Sequence, residues 1–135
     1  HNDLIFHFKD RPGYEHIKFV MSESEFLYVD AFDKVLRFSH GDHFLYRGGV
    51  GGLHIPLMLW LYKINKIIPA DMSFMGHWHS NISPTENSRV AGSIVGYNAY
   101  AMAHSISPQE SMMQFQLLDS QRGFTVNTPI FCEKN

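Results

Sequence analysis

The chain has 135 residues and a mass of 15.6 kDa, with 44% hydrophobic and 18% charged residues, the balance of an ordinary globular domain rather than a disordered or fibrous chain. Its 11 basic and 13 acidic residues leave a net charge of -2, so charge alone recommends neither nucleic acid nor an anionic membrane as a partner. The single cysteine, Cys132, excludes an internal disulfide and a cysteine-built zinc site and points to a reducing, cytoplasmic setting.

With no repeat, linker or low-complexity tract, residues 1–135 read as a single domain. Residues 17–21 (IKFVM), 25–32 (EFLYVDAF) and 35–40 (VLRFSH) carry strand patterns, the last two joined into a hairpin through Asp33-Lys34. A glycine-rich loop, RGGVGG at 47–52, precedes an amphipathic helix over 53–68, where Leu53, Leu57, Trp60, Leu61, Ile64, Ile67 and Ile68 recur near helical spacing until Pro69 stops it. The longest apolar run, IPLMLWLY at 55–62, is too short to span a bilayer, and no basic-then-apolar leader opens the sequence, so no membrane partner is expected. A short buried strand, MSFM at 72–75, leads into Gly76-His77-Trp78-His79, and residues 89–95, 112–118 and 124–130 read as further strands, with Gln121-Arg122-Gly123 turning between the last two. This order predicts an α/β fold, a mixed β-sheet with the amphipathic helix packed on it and the strands after Met72 gathered in one sheet.

Nine histidines are the unusual feature. His40 and the pair His77 and His79 share one context, just after a hydrophobic strand and beside a glycine. The C-terminal ends of sheet strands are where α/β folds bind ligands, and glycine lets the chain turn sharply there. Neutral imidazole is a common ligand of divalent transition metals, so His40, His77 and His79 are expected to converge as a metal site. His7, His16, His54 and His104 lack the context and read as structural.

These residues carry a family resemblance. His40-Gly41-Asp42-His43, the glycine-rich loop and helix, Gly76-His77-Trp78-His79 and Gly92-Ser93-Ile94-Val95-Gly96 together resemble the C-terminal half of calcineurin-like metallophosphoesterases, most of all the phage and prophage branch. The resemblance implies half of an α/β/β/α sandwich and a binuclear centre of manganese, iron or zinc that hydrolyses phosphate mono- or diesters. It implies His40 and His77 as ligands of one ion and His79 of the other, with Asp42 and His43 as supports or phosphate contacts; no catalytic acid or base is assigned. The family's upstream motifs, Asp-x-His, Gly-Asp-x-x-Asp and Gly-Asn-His, are absent, and only His1 could be the end of one. The sequence therefore reads as about half an enzyme, expected to show little phosphodiesterase activity alone. Expected partners are a phosphoester substrate, nucleic acid and nucleotide included, and the missing N-terminal half or a second copy. The alternatives are a non-catalytic binding or assembly module that retains the half-fold and, below it, a mononuclear three-histidine zinc site.

Overall fold

The structure is a computed structural model that describes residues 5, 7–9, 11–45, 52–103 and 108–132. In chain order the elements are β1 (Phe26–Ala31), β2 (Lys34–Ser39), α1 (His54–Ile67), β3 (Met72–Met75), β4 (Ile82–Thr85), β5 (Ser88–Val90), α2 (Ala99–Ala103), β6 (Met112–Asp119) and β7 (Gly123–Phe131). The fold is α/β and mostly sheet.

A five-stranded mixed sheet has the order β1-β2-β3-β5-β4. Its centre, β2, β3 and β5, is parallel, and β1 and β4 close it antiparallel at the two edges. Parallel neighbours cannot be joined by a tight turn, so β2 reaches β3 through α1. The helix ends where Pro69 forbids another turn: Ile68 is already extended at φ -134°, the conformation that a following proline imposes.

The apolar stripe of α1 lies on one face of this sheet only in its first three turns: Ile67 and Ile68, expected in the same stripe, are 75% and 46% exposed because the helix ends there. Leu57, fully buried, and Leu61 pack with Phe44, Leu53, Met75 and Val90, and Trp60, Trp78 and Ile82 border the cluster. Behind it Arg37 of β2 is completely buried. Its guanidinium donates to Ser73 Oγ at 3.0 and 3.2 Å, to the Ile68 carbonyl at 3.4 Å and to the Asn65 side chain, and it lies 5.5 Å from the centre of the Trp60 ring. Burial lowers its pKa from the usual value, yet a cation at the carbonyl end of a helix is favourably placed. Arg37 thereby ties the end of α1 to two strands.

The strands after Met72 do not form one sheet, as the sequence had suggested. β6 and β7 make a separate two-stranded sheet laid over the other face of the first, where Phe124 meets Phe74 at 5.8 Å between ring centres, Gln114 Nε2 donates to the Val90 carbonyl at 3.2 Å, and Asn127 Nδ2 donates to Ser83 Oγ at 3.0 Å. A cavity of about 470 Å³ lined by Phe38, Phe74, Gln116, Leu118 and Phe124 remains between the layers.

Three local expectations are also corrected. Residues 17–21 are not a strand: they pair with no strand among the described residues, and Val20 and Met21 are each 62% exposed. The β1–β2 turn is Phe32-Asp33, one residue earlier than expected, with Phe32 at φ 56°. The strand expected over 89–95 stops at Val90, and just beyond it a side chain on Gly92 would meet Met112 Cγ at 2.7 Å. The glycine-rich loop, apart from Gly52, and His1 and His104 lie outside the described residues. Among the described residues no helix is long and apolar enough to cross a membrane.

Candidate metal centre

Ser39 and Met75, the last residues of β2 and β3, are paired in register. His40 and Gly76 therefore leave the sheet side by side at its C-terminal end, and Gly76 N–H donates to the His40 carbonyl at 3.0 Å. The two loops then touch backbone to backbone. At Gly41, with φ 107°, a Cβ would lie 2.9 Å from the Gly76 carbonyl oxygen and 3.2 Å from Met75 Cβ, so this approach admits glycine alone.

Past Gly76 the chain curls instead of extending. Trp78 N–H donates to the Gly76 carbonyl at 2.7 Å, and His77 and His79 both take the left-handed conformation, at φ 65° and 48°. For residues with a Cβ this costs about 1 kcal/mol or more each, and such strain collects at sites where the direction of a side chain matters. Trp78 turns its ring onto Phe44, 5.5 Å between centres and 24° from parallel, and its indole N–H donates to the Gly41 carbonyl at 2.8 Å.

The outcome is a meeting of two imidazoles. His77 Nδ1 and His40 Nε2 lie 3.0 Å apart, one ring donating and the other accepting, with the rings 77° from parallel. His77 is largely exposed, yet the desolvation it does undergo lowers its pKa from the usual value, the neighbouring charges of His40 and His79 push the same way, and Asp42 opposes them. The result favours neutral imidazole, the form that binds metal.

No protein-family model, curated protein or solved structure matches this chain. What the centre can hold is decided by its own geometry. Two nitrogens bound to one ion at about 2.0 to 2.1 Å stand about 2.9 to 3.4 Å from each other, so the His40–His77 spacing of 3.0 Å fits one edge of a coordination shell. Among the described residues no group of three or more His, Cys, Asp or Glu side chains is arranged around a single ion. Of the three histidines expected to converge, His40 and His77 meet as a pair, and His79 is not arranged with them around a single ion among the described residues.

Asp42 is exposed at the same loop, 3.9 Å from His43 Nδ1. His43 turns inward: its side chain is 9% exposed, Nδ1 faces Glu25 Oε2 at 3.3 Å, and the ring lies between Trp60, 5.5 Å away and nearly parallel, and Phe26 at 4.7 Å. From the sequence Trp78 is placed opposite the two imidazoles but given no role, and Glu25 and Arg37 are not singled out. For Trp78 its position between two histidines was a signal; for the others there was none, because their partners are distant in sequence.

Proposed function

We propose that this chain carries the histidine side of a divalent-metal phosphoesterase centre, corresponding to the C-terminal portion of a calcineurin-like metallophosphoesterase that hydrolyses phosphate mono- or diesters. The observation that carries this reading is the pair of imidazole nitrogens 3.0 Å apart at the ends of adjacent parallel strands. In it His40 and His77 hold one divalent ion of manganese, iron or zinc, and His79 faces a second. Bound divalent ions at such a centre supply Lewis-acid charge for the phosphoryl oxygens and a nucleophile active at neutral pH. The chain's own part is to present neutral imidazoles in a fixed direction and, through Asp42, to offset some of the positive charge. His43, packed against Trp60 and Phe26, supports the His40 loop. The carboxylate that bridges two ions in the family has no counterpart among these residues, so efficient turnover requires carboxylates from elsewhere, in the same chain or another.

Titration calorimetry with Mn2+ and Zn2+ tests this. The wild-type chain is expected to bind and His77→Ala to lose binding, with little hydrolysis of a chromogenic phosphodiester by either. A wild-type chain that takes up neither ion would end the reading. Manganese-dependent turnover by this chain, abolished in His77→Ala, would show that no further carboxylates are needed.

A second reading, a non-catalytic assembly module, is favoured by one observation. Met113, Phe115, Leu117 and Ile130 of the β6–β7 hairpin are 44 to 48% exposed, a row of apolar side chains of the sort that marks contact surfaces. Sedimentation discriminates: this reading requires association that Leu117→Ser weakens and that metal does not affect.

A further inference from the structure

We propose that Trp78 is a positioning residue of this centre: its indole N–H, donated to the Gly41 carbonyl, holds the two histidine-bearing loops at the separation at which His40 and His77 meet. The inference rests on the reading of these imidazoles as ligands of one ion and names what sets their spacing.

His77 sits between two bonds that cross from one loop to the other. On one side Gly76 N–H reaches the His40 carbonyl at 3.0 Å, and on the other the Trp78 indole reaches the Gly41 carbonyl at 2.8 Å. Successive carbonyls of the first loop thus receive donors from either side of His77. A loop tied only at Gly76 could swing about that point; a loop tied on both sides cannot, and ligands at metal–nitrogen distances of about 2.0 to 2.1 Å tolerate little swing. The second tie is anchored in the interior, since the Trp78 ring stacks on Phe44, which is only 9% exposed. It also opposes a local tendency to relax, because His77 and His79 both hold left-handed backbone that an untied loop would be free to leave.

The competing role is plain filling of the core by the ring. Trp78→Phe separates the two, since phenylalanine retains an aromatic ring against Phe44 and lacks the donor. Phe44→Leu is the converse control, weakening the stack while leaving the indole bond. The first readout needs no metal: at mildly alkaline pH the nitrogen-to-nitrogen coupling across the His40–His77 hydrogen bond is measured by NMR in the labelled chain. It is expected in the wild type and in Phe44→Leu, and lost in Trp78→Phe. The second is Mn2+ affinity, expected to fall by about tenfold or more in Trp78→Phe, as when other supports of metal ligands are removed.

Coupling and affinity unchanged in Trp78→Phe, even with a lowered Tm, would overturn the proposal and leave Trp78 as packing. If that variant does not fold, exchange of the wild-type indole proton decides: slow exchange supports the tie, and exchange as fast as that of an exposed tryptophan refutes it. If the wild-type chain binds no Mn2+, the ligand reading fails, while the coupling and exchange measurements still judge the tie.

Discussion

His77 is where folding and proton binding meet. Folding holds its pKa below the ordinary 6.5, first through desolvation and then through its histidine neighbours, so the unfolded chain takes up this proton first. The stability that this group contributes is therefore present above about 6.5 and is lost as the pH falls from there through the lower folded value. Urea unfolding followed across this range is expected to show stability falling with acid, and His77→Gln is expected to flatten that part of the curve; an unchanged slope would show that His77 does not sense folding. At this scale the sequence was legible where chemistry and backbone coincide. A histidine beside a glycine at a strand end identifies His40 and His77, but the partners that aim them are visible only in three dimensions. Trp78 and Gly41 are 37 positions apart, and Glu25, just before β1, reaches His43 beyond the end of β2.

Among the elements, α1 contributes Leu57 and Leu61 to the core beneath it. Leu57 is wholly buried while Ile67, on the same helix, is 75% exposed. Leu57→Ala is expected to cost about 2–5 kcal/mol, through lost burial and the cavity left behind, and to lower Tm by roughly 10 °C. Ile67→Ala is expected to stay within about 0.5 kcal/mol. Trp60→Asp would place a carboxylate among Phe26, His43 and Phe44 and is expected to unfold the chain, read as loss of the cooperative thermal transition. Periodicity made α1 and the strands β1, β2, β3, β6 and β7 legible, because each is long or apolar enough to state its own repeat. β4 was missed: it is four residues long and contains Pro84, tolerable on an edge where one side of the backbone needs no ladder partner. Residues 17–21 misled for the opposite reason, having the alternation of a strand with no neighbour among the described residues to complete it.

For the molecule as a whole, sheet membership was the property least legible in the sequence, since it depends on which edges meet rather than on any segment's own pattern. The hairpin of β6 and β7 shares no ladder with the five-stranded sheet. Besides the Met112 N–H to Ser93 carbonyl bond at 3.0 Å, it is attached through side chains and across a cavity of about 470 Å³. Such a unit is able to open without the rest, because the hydrogen bonds that define it travel with it and its local pairing re-forms within about 1–10 μs. Native-state amide exchange in low denaturant is therefore expected to resolve two classes of opening, a cheaper one for β6 and β7 and a dearer one for β2 and β3; a single class spanning all four strands would refute it. The histidines follow β2 and β3 and are expected to share their class, so their spacing would survive excursions of the hairpin: the molecule would breathe on one face of its sheet while the strand ends that carry His40 and His77 stay closed.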